Sequence, residues 1–220
     1  MESSSLQEIT PKERILKRIR EALTAAPVQV ERAIDLESSV FVPAGATLAE
    51  VFAENFVHSR GGQFVYYCEN MEEAVQSLLH LAKKNQWHGN IFCRDESVEH
   101  ILQWAGIPYG KEPVDGVLKS VGVCSCRCLV ANDGSILFDS VSAGRRIFAQ
   151  ADTLIFIALS KQIMPDLRTF WKTQQADDDL PSMMSLWTGL SRFTDVDGNP
   201  MPGFGPKNIY LILIDQLEEQ

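Results

Sequence analysis

The sequence predicts an α/β protein with a largely parallel sheet and helices on its faces, and two observations lead to this prediction. Short apolar runs of strand length recur at residues 64–68, 91–93 and 154–158. Segments with apolar residues at helical spacing follow the first two of these runs. Strands that alternate with helices along a chain form parallel sheets, because each helix carries the chain back to the same end of the sheet.

The first elements are helices with recognisable starts. Thr10 precedes Pro11 and is followed three residues later by Glu13, which is typical of a capped helix N-terminus. A second helix is expected near residues 48–59, between a turn at residues 43–45 and the glycine pair at residues 61–62. We expect residues 1–27 to form an N-terminal helical arm and residues 28–220 to form a single α/β domain.

The middle of the chain continues the alternation. Asn70 and Glu73 predict the start of a helix over residues 71–85. The strand at residues 91–93 is followed by a helix predicted over residues 96–105, which ends at Gly106.

The pattern changes after residue 106. Residues 118–138 have the composition of strands interrupted at Asn132-Asp133-Gly134, a hairpin signal because two positions of the turn need a positive φ. Helices are expected at residues 165–172 and 183–187, and residues 209–214 have the composition of a final buried strand.

Composition excludes several classes of protein. The net charge of −9 and the pI near 4.9 oppose binding to nucleic acid, which needs a basic face, and docking to anionic lipid. The N-terminus lacks the basic and apolar regions of a signal peptide, and no apolar run approaches the roughly 18 residues of a membrane span. Five cysteines, three of them crowded together, do not suggest a disulfide framework. We therefore expect a reduced, cytoplasmic protein that does not insert into a membrane.

Cys124, Cys126 and Cys128 invite a metal hypothesis that their spacing opposes. Alternate residues of a strand lie roughly 6.6 Å apart, whereas two thiolates on one zinc ion lie at most about 4.6 Å apart. We therefore predict that the three thiols fill the core and that no metal is bound here. His80 and His100 lie on predicted helices without a nucleophile elbow nearby, which opposes a serine hydrolase.

Three turns carry the candidate ligand-binding residues, and we expect them to form one pocket for a small anionic ligand. The turn Asn132-Asp133-Gly134-Ser135 has two candidate roles. In the first it only closes a hairpin, and in the second it also presents N–H groups, a hydroxyl and a carboxylate to a ligand. Gly144-Arg145 provides a guanidinium suited to a carboxylate or phosphate, or to a surface ion pair. Thr188-Gly189, Ser191 and Arg192, expected near a helix end, could hold an anion, and Asp195 could orient Arg192.

The order of these turns resembles the lactate-utilization protein C family, the stand-alone form of the LUD domain. The family pattern Gly-Ile-Thr-x-Ala-Asp-x-x-Ile-Ala-Glu-Thr-Gly-Thr aligns without gaps on residues 122–135. Identical or similar residues stand at Gly122, Val123, Val130, Ala131, Gly134 and Ser135. Gly144-Arg145, Ile163-Met-Pro-Asp-Leu167, residues 188–197 and Gly203-Phe-Gly-Pro206 resemble the later family motifs.

The chain also departs from the family pattern. Cys124 replaces a threonine, Cys126-Arg127 replaces Ala-Asp, Asn132-Asp133 replaces Glu-Thr, and Leu190 replaces a proline. If acidic groups at these positions carry the family's chemistry, this chain is a diverged member with an altered ligand or none.

The resemblance implies a three-layer α/β/α fold with a mixed, mostly parallel sheet, like ribose-5-phosphate isomerase and the CoA transferases. It implies an accessory subunit or ligand-binding component of a system that oxidises L-lactate to pyruvate. Iron–sulfur clusters would reside in partner subunits, with no cofactor on this chain, and the ligand would be a small carboxylate or phosphate.

Two alternatives stay open. One is an independent enzyme on a phosphorylated sugar or an acyl-CoA, with Asp133 or Asp195 as general base. The other is an assembly protein without a working pocket.

Overall fold

A computed structural model describes residues 10–24, 47–58, 63–87, 89–114, 119–174, 180–197 and 199–215. The chain divides into two compact units, residues 1–40 and 41–220. In the first unit, helix α1 spans Pro11–Thr24, and the Glu13 N–H donates to the Thr10 hydroxyl at its start. The predicted cap is therefore confirmed, whereas the predicted arm boundary at residue 27 lies outside the described residues.

The second unit is built on a five-stranded sheet in the order β1-β11-β6-β3-β2, with every neighbouring pair parallel. Its strands are β1 (Gln63–Cys68), β2 (Ile91–Cys93), β3 (Val121–Ser125), β6 (Thr153–Leu159) and β11 (Asn208–Ile214). The central strands are apolar along most of their length because both faces of the sheet are covered.

Helices pack on both faces of this sheet. Along β6, Ile155 and Ile157 pack with helices α3 (Met71–Lys84) and α4 (Glu96–Trp104). The alternate residues of β6 pack on the opposite face with α2 (Leu48–His58) and α5 (Ile147–Gln150). The predicted α/β fold, with a mostly parallel central sheet flanked by helices, is confirmed.

A second sheet contributes to the core on the α2 face. Its four strands, in the order β7-β4-β5-β8, are β4 (Cys128–Val130), β5 (Ser135–Asp139), β7 (Ile163–Met164) and β8 (Met184–Trp187). A 3-10 turn, Ser160–Gln162, links β6 to β7, and α6 spans Leu167–Thr173. The antiparallel pair β4–β5 confirms the hairpin predicted at Asn132-Asp133-Gly134, although only Gly134 of these three residues has a positive φ, where two such positions were expected. Strands β9 (Arg192–Thr194) and β10 (Pro200–Pro202) form a separate antiparallel hairpin.

One predicted helix is wrong. The sequence predicts a helix over residues 183–187, but Met184–Trp187 forms strand β8, antiparallel to β5. The segment is short, and its extended state is set by pairing with a strand that lies far away in sequence, as in the pair Ile136 and Trp187. Thr188 consequently follows a strand rather than a helix. The predicted turn at residues 43–45 lies outside the described residues.

The cysteine trio packs in the hydrophobic core, as predicted. Cys124 and Cys126 lie in the cluster on the α2 face, whereas Cys128 packs with Val130, Leu137 and Phe170 beside α6. Burial raises the pKa of all three thiols, that of Cys128 to about 12.

Candidate functional site

The carboxyl ends of β2 and β3 are joined by one buried carboxylate. Asp95 is 6% exposed and caps helix α4, where it accepts hydrogen bonds from the Ser97 N–H at 3.1 Å and the Ser97 hydroxyl at 2.6 Å. Its second oxygen accepts from the N–H and the hydroxyl of Ser125, at 2.8 and 2.5 Å. Asp95 therefore holds two neighbouring strand ends together at the sheet edge where α/β proteins bind ligands.

A second buried carboxylate shapes the loop after β5. Asp139 is 1% exposed and accepts hydrogen bonds from the N–H groups of Val141 and Ser142, at 2.8 and 2.9 Å, and from the side chain of Arg127. Burial raises the pKa of the Asp139 carboxyl, but these hydrogen bonds outweigh it and the net pKa is lowered. The ionised carboxylate therefore holds the turn that leads into Gly144-Arg145.

Three arginines line a cavity of about 550 Å³ beside this turn. They are Arg94, which follows β2, together with Arg145 and Arg146, which precede α5. Arg94 pairs with Glu112, and the Arg145 Nε donates to the Ser182 hydroxyl at 3.3 Å. In the described part of the chain, neither Arg145 nor Arg146 pairs with a carboxylate.

Gly144 brings the arginine loop close to Arg94. Its φ of +70° favours glycine, and a Cβ built there would lie 3.4 Å from the Arg94 Cδ. A larger residue at this position would therefore be strained by its φ, while its Cβ would make an ordinary van der Waals contact with Arg94.

An adjoining polar cavity of about 610 Å³ shares Arg94 with the first. Its walls include Asp95, Ser125, Arg127 and Asp139. Asp95 accepts from Ser125, and Asp139 accepts from the Nε of Arg127, so both carboxylates are already hydrogen-bonded within the cavity wall.

The Asn132-Asp133-Gly134-Ser135 turn, predicted as part of the ligand site, lines neither of these cavities. Helix α2 packs against it: the Asn55 side chain donates to the carbonyls of Ala131 and Asn132, at 2.8 and 3.2 Å, while the side chains of Asn132 and Asp133 stay exposed. A Cβ on Gly134 would lie 2.4 Å from the backbone nitrogen of Phe56. Glycine is needed at this position because helix α2 packs directly against the turn.

Ser135 and Asp133, in the same turn, are also held by hydrogen bonds within the protein. Ser135 is fully buried and its hydroxyl lies 2.7 Å from that of Thr188, while Asp133 accepts from the Ser135 N–H at 3.0 Å. The structure therefore brings Thr188 to the Asn132 turn.

The length of β5 separates that turn from Arg145. Ser135 begins β5 and Asp139 ends it, about 13 Å further along an extended strand. Gly144-Arg145 follows from the Asp139 end, where the Ala143 N–H donates to the Asp139 carbonyl at 3.0 Å. Two of the predicted turns therefore lie at opposite ends of β5: the Asn132 turn at its start and Gly144-Arg145 beyond its end.

Two other predicted residues, Gly122 and Asp195, contribute to packing and to a turn. Gly122 lies inside β3, where a Cβ would lie 2.9 Å from Leu154 and 3.0 Å from Ile147. Asp195 accepts from the N–H groups of Asp197 and Asn199, at 2.9 and 2.8 Å, and so holds the β9–β10 turn.

The segment before β9 makes close backbone contacts. Gly189 has a positive φ of 132°, and the Ser191 carbonyl accepts from the Gly203 N–H at 2.7 Å. Leu190, at one of the departures from the family pattern, packs in the core. Arg192 begins β9, and its side chain lies outside what the structure describes.

Sequence reasoning missed Arg94 and Asp95. The signal was present, because both follow the buried strand Ile91–Cys93, and polar residues directly after a parallel strand lie at the ligand-binding edge. Glu112, Ser140 and Ser182 join the cavity from distant parts of the chain and carry no local signal of this kind.

The described residues contain neither a membrane-spanning helix nor a metal-binding cluster. No helix in this part of the chain is long and apolar enough to cross a membrane. No group of three or more His, Cys, Asp or Glu side chains there could hold a metal ion.

Comparison with known proteins identifies the segment that contains most of the site. A crystal structure of a DUF162 family protein from Deinococcus radiodurans is 12% identical, with a TM-score of 0.49 over 77% of this chain and 99% of that chain. No curated protein matches the chain. Residues 117–214 match the family model of the LUD domain, and they include β3, Asp139, Gly144, Arg145 and Arg146. Over this segment, which is somewhat less than half of the chain, the protein is similar to the LUD domain family.

Proposed function

We propose that this protein binds a small carboxylate, or a phosphate-bearing ligand, in the cavity lined by Arg94, Arg145 and Arg146. The observation that carries the proposal is the gathering of three arginines around one cavity in a chain whose net charge is −9. Like charges that gather in one place repel one another, and an anion that lies between them relieves that repulsion.

The arginine side chains suit this ligand class chemically. A guanidinium presents N–H donors in a planar fork that matches the two oxygens of a carboxylate or phosphate. Glu112 forms an ion pair with Arg94 and so offsets its charge. Arg145 and Arg146 would therefore supply most of the uncompensated positive charge. The Asp139 turn would fix the path of the backbone that carries both residues.

The biological role that we propose follows from the family. The LUD domain family is linked to lactate utilization. We infer an accessory or ligand-binding component of a cytoplasmic system that oxidises lactate to pyruvate. In this proposal the iron–sulfur clusters, and therefore the electron transfer, belong to partner subunits, and this chain contributes the binding of an organic anion.

Isothermal titration of the purified chain with lactate, pyruvate and inorganic phosphate tests the proposal. We expect at least one of the three to bind, and the double substitution Arg145→Gln with Arg146→Gln to weaken that binding by about 100-fold. That loss corresponds to roughly one charge-assisted contact from each arginine, at about tenfold for every 1.4 kcal/mol.

Arg18→Gln is the matched control, because it removes an arginine of helix α1 that lines neither cavity. Its affinity should equal that of the unmodified chain. Absence of binding to all three anions at low salt, or equal affinities in the double variant and the control, would contradict the proposal.

One observation favours a role in assembly as well. The β9–β10 hairpin presents exposed apolar side chains: Phe193 and Met201 are cross-strand partners, and Phe204, just beyond the hairpin, is 82% exposed. Exposed apolar side chains that cluster in this way often mark protein contacts. We propose that the hairpin contacts an iron–sulfur partner subunit.

Co-purification of the chain with iron–sulfur subunits encoded beside it tests this role. Phe193→Ser with Phe204→Ser should abolish co-purification, while Trp104→Ser, which removes an exposed aromatic of α4, should leave it intact. Equal recovery of partners with both variants would exclude the hairpin as the contact.

A further inference from the structure

A third cavity lies at the carboxyl ends of β3, β6 and β11 and differs in character from the arginine cavity. Its volume is about 420 Å³, within the range of about 300–1,000 Å³ typical of small-molecule pockets. Apolar side chains from four elements line it: Met71 at the start of α3, Val98 and Ile101 on α4, Ile157 on β6 and Ile214 on β11. It shares no lining residue with the arginine cavity.

The polar side chains of this cavity are already committed, with one exception. Ser97 and Ser125 both donate their hydroxyls to Asp95. Gln162 donates to the Cys126 carbonyl at 2.6 Å and accepts from the Leu159 N–H at 2.7 Å.

The exception is Lys161, on the 3-10 turn that forms part of the wall. Its side chain forms no ion pair or hydrogen bond with any described residue. The cavity therefore combines an apolar interior with an available cation.

We propose that this cavity binds an aliphatic monocarboxylate, with the carboxylate paired to the Lys161 ammonium and the hydrocarbon chain along Met71, Leu159 and Ile101. The charge and the apolar lining select this class together. A polar ligand such as lactate would place its hydroxyl against apolar side chains without a hydrogen-bond partner, because the neighbouring serines and Gln162 are already hydrogen-bonded.

The position of the cavity supports binding rather than a packing defect. The carboxyl edge of a parallel sheet is where open α/β proteins place their ligands, and the side chains of Val98, Ile157 and Ile214 are held there by the core behind them. Hydrocarbon that enters the cavity is removed from water without any rearrangement of the chain, and pre-formed apolar sites favour binding for that reason.

Titration of the full chain with octanoate, with octanol as its uncharged analogue, tests the proposal. We expect saturable binding of octanoate with a Kd below about 1 mM. Replacing octanoate by octanol, or Lys161 by glutamine, should each lower the affinity by about tenfold, the loss of one charge-assisted contact. Lys161→Arg should retain most of the affinity, because it keeps the charge.

Two further variants show whether octanoate occupies this cavity. Lys84→Gln removes an exposed lysine at the end of α3 and should leave octanoate binding unchanged. Ile101→Trp fills the cavity and should abolish binding, with thermal unfolding used to confirm that this variant is folded. Absence of octanoate binding, or equal affinity in Lys161→Gln and Lys84→Gln, would overturn the proposal.

The proposal is independent of the arginine cavity, and the same titrations distinguish the two. Saturating lactate should leave the octanoate affinity unchanged, because the two cavities share no lining residue. Competition between lactate and octanoate for one site would overturn the assignment of octanoate to the Lys161 cavity.

Discussion

Ser125 donates two hydrogen bonds to one oxygen of Asp95, from its backbone N–H at 2.8 Å and from its hydroxyl at 2.5 Å. This contact joins the ends of β3 and β2, beside the two polar cavities. Asp95 is held by another element as well, since it also caps α4. The candidate site is therefore positioned by hydrogen bonds among the sheet, a helix and a loop rather than by one local motif.

The first prediction concerns Asp95. Asp95→Ala should lower the free energy of unfolding by about 2–4 kcal/mol, because it leaves donors of Ser97 and Ser125 without their acceptor at a largely buried position. Urea unfolding followed by tryptophan fluorescence measures the change. Asp197→Ala removes an exposed carboxylate and should change the free energy by less than about 0.5 kcal/mol. A similar, small loss in both variants would show that the Asp95 contacts do not stabilise the fold.

The second prediction concerns the pH dependence that Asp139 contributes. The pKa of the Asp139 carboxyl is lowered in the folded protein, so its stabilising effect is fully present above the unfolded pKa of about 3.9. That effect is lost as the pH falls from there through the folded pKa. Asp139→Asn should therefore be less stable than the unmodified chain at pH 7, and the difference should shrink below about pH 4.

Urea unfolding of both proteins at pH 7 and at pH 3 checks this second prediction. Asp215→Asn, which alters an exposed carboxyl just after β11, serves as the control for general effects of charge. A difference between Asp139→Asn and the unmodified chain that stays constant over this pH range would rule out an ionic contribution from Asp139.

The third prediction separates two reasons why a position requires glycine: a positive φ, and the lack of space for a Cβ. At Gly134, φ is +68° and a Cβ would overlap the backbone of Asn55 and Phe56. At Gly106, φ is a similar +62° but the space is open. Gly106→Ala should cost about 1–2 kcal/mol of stability from backbone strain alone, whereas Gly134→Ala should cost about 3 kcal/mol or more. Equal losses in thermal or urea unfolding would mean that the packing of α2 on the turn contributes nothing.

The fourth prediction concerns the five cysteines. All are free and buried, and burial raises the pKa of each thiol, that of Cys93 to about 12. The thiolate is the reactive form, so a thiol reagent such as Ellman's should react slowly with the native protein at pH 8. In denaturant all five thiols become exposed, and each should then react rapidly. Rapid reaction of any thiol in the folded protein would contradict this burial.

Much of the fold could be predicted because its signals are local. Asn70 caps α3 by accepting from the Glu73 N–H at 2.9 Å, and the residues that cap a helix stand next to it in sequence. The Asn132-Asp133-Gly134 turn likewise encodes its hairpin in a few residues. Strand β8 was not predictable in this way, because a four-residue segment takes its conformation from the strand it pairs with.

The candidate site was less predictable because it is assembled over long separations. Arg145 was identified from its glycine turn, but its grouping with the Asn132 turn could not be judged without knowing that β5 places them at opposite ends. Arg94 and Glu112 reach the same cavity from other parts of the chain.

By itself, the sequence determined the alternation of strands and helices, the caps, the hairpin and the family resemblance over the later part of the chain. These depend on side-chain spacing and on backbone preferences that act within a few residues. Only the tertiary structure decided that Gly134 packs against α2, that Asp139 holds the arginine loop, and that Lys161 lies at a largely apolar cavity. The physical reason is that burial, charge pairing and cavity shape depend on groups distant in sequence, which meet only when the sheet has formed.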